Sequence, residues 1–578
     1  MEKFDVNESN ELDVLENGRR KSEPITSQNA NTHHKSQISQ KSRGNAINAY
    51  LSKHRRIFKV FGLIILNLFI IAYIICAGVY WKKNHCDLQW CDGYGMLLIL
   101  AGLIYLGLFY FLIVKRYFGK YIVQCCLPVT NSLERLQNTK YGTCIGATIF
   151  YSIVLTAIII FLILDTAESR YRLISIVGII VILGLGWIFS KHRKQIKWRP
   201  VFWGLILQFV LGVLTLRWPI GRSVFQCISD KVATFLDFAK VGASFVFSDN
   251  IVNNGVFAFA VLPVIFFFSF IVQVMCYLGA MQWIITKLGW ILQSIMGTTL
   301  CESLSAAANP FIGMSESPLL IKPYINQLTS SELHAILSSG FSTVSGSVLA
   351  AYIAFGADPA NLIPASVMSA PTALSYCKLF YPETEQSLTK FENIKLEKSS
   401  DTSIIDAATN GALAALPIVL GIVANIVAFV SFVAFLNGML SWFGGLVGYE
   451  ELSLEVTHPL IILAKIFMPL SWIMGVPWEH CEDVGTLIGL KTVVNELIAY
   501  QKMGEFKKQG RIYGRSEAIA TFAICGFANP GSIGIQIGVF SSLAPESKER
   551  ITDVILRAFV AGSAVSFLTA SIAGKIDI

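Results

Sequence analysis

Charge is what this sequence has least of. Of its 578 residues only 15% are Asp, Glu, Lys or Arg, against 54% hydrophobic and 12% aromatic, a balance that excludes an ordinary water-soluble protein. Metal-binding patterns are missing as well. The twelve cysteines form no CxxC pair, and histidines such as His334 and His458 stand alone, so no transition-metal centre is expected. There is no Ser-His-Asp arrangement and no phosphate-binding loop, which argues against a membrane enzyme. A long polar stretch precedes the first hydrophobic run, so no cleavable signal peptide is expected. The net charge of +8 carries no nucleic-acid-binding pattern, and no nucleic-acid partner is expected.

What the chain has in quantity is long apolar runs. "VFGLIILNLFIIAYIICAGVYW" from Val60 and "GMLLILAGLIYLGLFYFLIV" from Gly95 reach the ~20 residues that cross a bilayer as helix. Further runs start near Gly142, Leu173, Pro200, Phe257, Leu333, Leu362, Gly411, Leu460, Ala518 and Ile551, giving roughly ten to thirteen hydrophobic segments, not all of them full spans. Met1 to Asn48, rich in Ser, Asn, Gln, Lys and Glu, reads as a disordered tail. Basic clusters flank the early spans at "SKHRRIFK", "VKRYFGK" and "SKHRKQIKWR"; a cytosolic amino terminus puts all three inside, so the excess of base is a topology signal. Most cysteines lie in apolar segments as small soft hydrophobes. Cys86 and Cys91 fall in the expected first external loop, where a disulfide and two free thiols are both open readings.

One stretch breaks the apolar pattern. "CGFANPGSIGIQIG", Cys525 to Gly538, sets Asn, Pro, Ser and several glycines inside a membrane-length segment, and Pro and Gly are the residues a helix interior tolerates least. It has an echo: "SELHAILSSGFSTVSGS" (Ser331 to Ser347) and "SEAIATFAICGFANPGS" (Ser516 to Ser532) share Ser-Glu, an apolar stretch, Gly-Phe and a closing Gly-Ser. Each follows a second matched element, "GMSESPLLIKPY" (Gly313 to Tyr324) and "VVNELIAYQK" (Val494 to Lys502), in which a Glu precedes apolar residues and then Lys. Two matched pairs in the same order indicate an internal repeat.

Interrupted hydrophobic segments at corresponding places in two halves point to the binding site of a secondary transporter. Irregular backbone at membrane depth is tolerated only where it is buried in protein or lines a watery cavity, and it frees amide and carbonyl groups to hold a solute or ion. Glu316 and Glu496, costly in lipid, are functional candidates on this reading. The competing reading is a structural pair with a nearby Lys at a hairpin base.

From about Pro200 onward the chain resembles the concentrative nucleoside transporters, solute carrier family 28. The resemblance is carried by "ANPFIGMSESPLLIKPY", "SELHAILSSGFSTVSGSVLAAYI", "SVMSAPTALSYCKLFYPETE", "GLKTVVNELIAY" and "RSEAIATFAICGFANPGSIGIQIG", and its amino-terminal spans look like those of the eukaryotic members. It implies an all-α polytopic membrane protein with inverted repeats, two re-entrant hairpins and two unwound helices, working as an elevator within a homotrimer in the plasma membrane. The implied organisation is a disordered cytosolic tail (1–56), about four amino-terminal transmembrane helices (57–198), scaffold helices with an interfacial helix (199–280), a first repeat (281–382), a cytosolic linker (383–410), a scaffold helix and external loop (411–456) and a second repeat (457–578).

The resemblance also implies roles. Gly313, Met314, Ser315 and Glu316 of the first hairpin face the nucleobase. Asn495 and Glu496 sit at the second hairpin, with Glu496 on the ribose hydroxyls, and Phe527, Asn529 and Ser532 of the second unwound helix also face the ribose. A carboxylate beside an Asn amide suits a ribose in kind, supplying both acceptors and donors. The coupling cation is implied between the first hairpin and the unwound helix after it, held by Asn309, Thr343 and Ser347 side chains and the carbonyls of Ile312 and Val344. Neutral oxygens suit a hard monovalent ion, sodium, with a proton as the alternative; no cofactor is expected. Thr343 and Ser347 read alone would simply bond a carbonyl one turn back.

Gly-Met in the first hairpin, with Val348, looks like the purine-preferring type of the family, and Ser347 in place of Thr implies that uridine is tolerated. Pro310 and Pro530, where relatives carry aliphatic residues, are expected to stiffen the unwound turns. Rival functions are an ion channel, a membrane enzyme and a transporter of the same fold for free bases or peptidoglycan fragments. The Glu and Asn assigned to the ribose argue against free bases, which would leave them unpaired.

Overall fold

The computed structural model describes residues 55–84, 90–110, 170–254, 256–389, 401–446 and 458–576, with residues 114, 117 and 156 singly. Most of the amino-terminal tail, the run from Gly142, Cys86, residues 390–400 of the expected linker and the expected external loop after residue 446 lie outside the described residues, as does the side chain of Ser347. The chain divides into two units, Met1–Arg135 and Leu136–Ile578.

In the first unit, α1 (Arg55–Lys83) and α2 (Gly93–Phe109) pack together. α1 leaves large apolar side chains such as Phe69, Leu68 and Ile75 exposed, as a lipid-facing helix must. α2 is capped by Asp92, whose carboxylate accepts from the Gly93 amide. Cys91 is disulfide-bonded; so is Cys227 in the second unit, which corrects its expected role as one more small apolar residue.

Elements of the second unit are helical throughout among the described residues: α3 (Ile174–Ile188), α4 (Trp198–Gly212), α5 (Pro219–Phe247), α6 (Pro263–Tyr277), α7 (Ala280–Met296), α8 (Leu300–Ile312), α9 (Ser330–Phe341), α10 (Gly346–Ala354), α11 (Pro359–Phe380), α12 (Ile404–Leu446), α13 (His458–Ile473), α14 (Cys481–Val493), α15 (Glu496–Lys508), α16 (Gly514–Ile524), α17 (Pro530–Leu543) and α18 (Lys548–Ile576). A 3-10 segment, Ser317–Gln327, stands between α8 and α9. α5 is amphipathic, burying Leu236, Ala239 and Ala243 while Phe238, Val241 and Phe245 face outward.

The order then repeats. α7, α8, the 3-10 segment, α9, α10 and α11 are matched by α13, α14, α15, α16, α17 and α18, and α8 and α14 are each 13 residues long. In each half two short helices form a hairpin, then a helix stops and restarts after a few residues: at residues 342–345 in the first half and 525–529 in the second. Helices of this length are too short to span alone. Five helices among the described residues are long and apolar enough to cross a membrane; the breaks cut several further runs in two, α2 and α3 are shorter, and the run from Gly142 lies outside the described residues. The chain is a multi-pass membrane protein.

Capping explains where the broken helices begin. Thr299 with Glu302 and Thr329 with Glu332 form capping boxes at α8 and α9, while Asn495 and Asn529 cap α15 and α17 by accepting from the amides of Ile498 and Ser532. Pro530 occupies the first position of α17, where its missing amide costs nothing. Pro310 departs from expectation: it lies in the last turn of an unbroken α8, because the break comes three residues later at Gly313. The inner helices α8, α11 and α18 meet their neighbours through Ala, Ser and Gly, as at Ser305 to Ala308 and Ala558 to Gly562. Small residues let backbones approach where lipid offers no hydrophobic drive to associate.

Candidate functional site

Each break is held open by contacts at backbone distance. Gly313 ends α8 at φ +85°, a conformation that side chains disfavour, and a Cβ there would lie 2.5 Å from the Ser345 Cβ, so the hairpin tip presses on the first break. The second break crosses the first. The Phe527 amide donates to the Thr343 carbonyl at 3.3 Å, and a Cβ on Gly526 would meet the Ser566 hydroxyl at 2.8 Å and the Phe341 carbonyl at 2.9 Å.

Around this crossing lies a cavity of about 420 Å³, within the range of small-molecule sites. Hairpin and break residues make one wall: Ile312, Met314, Ser315, Glu316, Ser345 and Val348 from the first half, Asn495, Glu496, Phe527, Asn529 and Ser532 from the second. α12 makes another, with Ala414, Pro417, Ile418, Gly421 and Ile422. The expected substrate residues of the two halves are therefore brought together on one cavity, with Gly313, the end of α8, beside them. The α12 wall carried no local signal beyond its apolar run.

Glu496 is the most constrained side chain there, at 4% exposure. Its two oxygens accept separately: Oε1 from the Tyr352 hydroxyl at 3.2 Å and Oε2 from Asn529 Nδ2 at 2.9 Å. Tyr352 is in turn stacked on Tyr500, ring centroids 4.4 Å apart, and Tyr500 donates to the Thr521 carbonyl. Glu316 is half-buried on the cavity wall. Neither carboxylate has a Lys or Arg within ion-pair distance among the described residues, so the paired-Lys reading has no contact behind it. Lys491, four residues before Asn495, is fully buried with its ammonium 5.5 Å over the Phe567 ring and no hydrogen-bond partner.

The oxygens expected around the cation fall into two hydrogen-bonded groups. Thr343 Oγ1 shares a hydrogen bond with Ser366 Oγ at 2.8 Å, and Ser366 Oγ donates to the Val344 carbonyl at 3.2 Å. One turn away, Asn309 Oδ1 accepts from Ser317 Oγ at 2.5 Å and its Nδ2 donates to Ser339 Oγ at 2.8 Å. All are neutral oxygens or amides buried beneath the hairpin tip, a donor set that fits a hard monovalent cation. Among the described residues no group of His, Cys, Asp and Glu is disposed to hold a metal ion. Ser366, Ser339, Ser317 and Tyr352 were missed by sequence reasoning; all four lie in the quoted motifs but are ordinary hydroxyl residues in apolar surroundings.

Comparison with known proteins adds a family. The chain matches the models for the "Na+ dependent nucleoside transporter" C-terminus over residues 361–574 and N-terminus over 177–250, and one for "Nucleoside recognition" over 258–359. Sodium/nucleoside cotransporter 1 of Oryctolagus cuniculus is 40% identical over 540 residues, covering 91% of this chain and 78% of its own length. Solute carrier family 28 member 3 of Eptatretus stoutii is 45% identical over 443 residues, 74% of this chain and 64% of its own. A solved structure of CNTnw in an inward-facing substrate-bound state superposes with a TM-score of 0.66 at 36% identity, covering 70% of this chain and 98% of that one.

Proposed function

The chain belongs to the concentrative nucleoside transporter family, solute carrier family 28, and from that premise we propose that it is a sodium-coupled nucleoside symporter of the plasma membrane. Purine nucleosides are its preferred substrates and uridine is tolerated. The observation that carries the reading is the buried Glu496 carboxylate, held by Tyr352 and Asn529 at the cavity where two helix breaks cross. Two vicinal hydroxyls of a ribose donate to a carboxylate and accept from an Asn amide, so a nucleoside replaces the bonds these groups make to each other.

In this reading Phe527, Asn529, Ser532 and Asn495 contact the ribose with Glu496, while Gly313, Met314, Ser315, Glu316 and Val348 face the base. A thioether supplies polarizable contact and no strong hydrogen bond of its own, which favours the larger ring. Sodium is bound as co-substrate by Asn309, Thr343 and Ser347 with the Ile312 and Val344 carbonyls, and Ser366 joins them. Its site lies under the hairpin tip, so ion binding orders the tip that completes the nucleoside pocket. The repeats move as an elevator in each subunit of a homotrimer, with the amino terminus in the cytosol.

The test is uptake of radiolabelled adenosine, inosine, uridine and thymidine into oocytes, with sodium or choline outside, at pH 5.5 and 7.5. Sodium-dependent uptake, with inosine competing better than thymidine or cytidine, is the expected result. Uptake that ignores sodium but rises at acid pH reassigns the cation site to a proton. No nucleoside uptake from protein at the cell surface overturns the reading.

A further inference from the structure

Gln536 stands one helical turn after Ser532 and one turn before Val539 on α17, and Ser532, Ile535 and Val539 line the cavity. Residues at this spacing share a helix face. Gln536 is 1% exposed, an amide in an otherwise apolar stretch. Its Nε2 donates to the Leu337 carbonyl at 3.2 Å and lies 3.5 Å from the Met314 sulfur. Turning the amide over would set its oxygen against the Leu337 carbonyl, so the carbonyl dictates the orientation. Gly340 makes the room: a Cβ there would be 2.5 Å from Nε2. The remaining polar atom, Oε1, is buried and has no hydrogen-bond partner.

An amide carbonyl buried without a donor is an unmet demand, and Met314, whose thioether touches the same amide at Nε2, also lines the cavity. Met is unbranched and has three rotatable bonds, so it shifts aside at small cost. We propose that Gln536 is a specificity-determining residue of the site: its Oε1 accepts a hydrogen bond from an N–H on the six-membered-ring edge of the purine, with Met314 moving to admit it. The donors available are the ring N1–H of inosine and the 6-amino group of adenosine. Thymidine and uridine, with a single smaller ring, do not extend that far while their ribose is held at Glu496. This inference rests on the nucleoside-transport reading and adds to it a residue that reads the base.

The experiment measures KM for inosine, adenosine and purine riboside, whose unsubstituted base has no N–H on that edge, in oocytes at saturating sodium. Wild type and Gln536→Met are compared, the substitution keeping the side chain's length beside Gly340. In wild type, purine riboside is expected to have a KM at least about fivefold above inosine. In Gln536→Met, the inosine and adenosine values rise about tenfold and that of purine riboside less than about twofold, closing the gap. Equal changes for all three substrates, or none, overturn the inference and leave the transport reading intact. Should the variant fail to reach the surface, the wild-type series decides by itself, since equal KM values for the three would also overturn it. Absence of any nucleoside uptake in wild type overturns both.

Discussion

In the first repeat the break after α9 is lined by hydroxyls and carbonyls: Thr343 and Ser366 share a bond beside the Val344 carbonyl, with no charged group among these contacts. In the second, the break after α16 is tied through Asn529 to a carboxylate, Glu496. The two halves thus repeat a backbone with a hairpin Glu on the cavity in each, and differ in what ties the break: hydroxyls at Thr343, and the Glu496 carboxylate at Asn529. Neutral oxygens suit a desolvated monovalent cation, and a carboxylate with an amide suits a polyhydroxylated sugar. On the proposed reading, one internal repeat provides two kinds of site, brought together where the breaks cross at Phe527 and Thr343.

The same contrast holds at the hairpin bases. The third residue of α8 is Glu302 and the third of α14 is Asp483. Glu302 is fully buried and paired with Lys378 at 2.8 Å, whereas Asp483 pairs with an Arg511 that is half exposed. Removing one partner of a buried pair strands the other, so Lys378→Met is expected to cost about 3–5 kcal/mol of stability. Arg511→Met, in water's reach, is expected to cost less than about 1 kcal/mol. Melting of the purified protein measures both; similar losses would show that burial does not separate the two bases.

The next effect is on transport. Glu496→Gln keeps the shape but replaces the acceptor of the Tyr352 and Asn529 bonds with a neutral amide, and uptake of every nucleoside is expected to fall about 100-fold, whichever base it carries. A loss confined to purines would move Glu496 from the sugar to the base. Smaller still is Gly526→Ala, whose new Cβ meets the Phe341 carbonyl at 2.9 Å. Separating the crossing breaks is expected to cost about 1–3 kcal/mol and to weaken sodium and nucleoside binding together, read as a rise in both half-saturation values. An effect on one alone would mean that the crossing does not couple the sites.

Much of this was legible in order and little of it in contact. The hairpins and breaks announced themselves because Gly, Pro and Asn interrupt apolar runs, and the matched Ser-Glu and Gly-Phe elements made the repeat visible in the order of residues alone. Family motifs carried Glu496, Asn529 and Met314 to the site. Ser366, Tyr352 and the α12 wall were not legible, since a hydroxyl in an apolar helix or an apolar run reads the same whether it faces lipid or a cavity. Their meaning arises only when segments distant in sequence meet, as Tyr352 and Glu496 do. Gln536 did leave a signal, a lone amide one turn after Ser532 in the stretch that broke the pattern, but its partner Leu337 lies in the other repeat. Pro310 shows the reverse error: helix-breaking chemistry was present, and the helix continued for one more turn because Gly313 supplied the break.

The most direct test of the division between repeats is the sodium activation curve of inosine uptake, measured with the inosine KM at saturating sodium, in Thr343→Val and Asn529→Ala. Thr343→Val is expected to raise the sodium concentration for half-activation about tenfold with the KM changed less than about threefold, and Asn529→Ala to do the opposite. Equal shifts of the sodium curve in both variants would contradict the account, because the two breaks would then not hold different ligands.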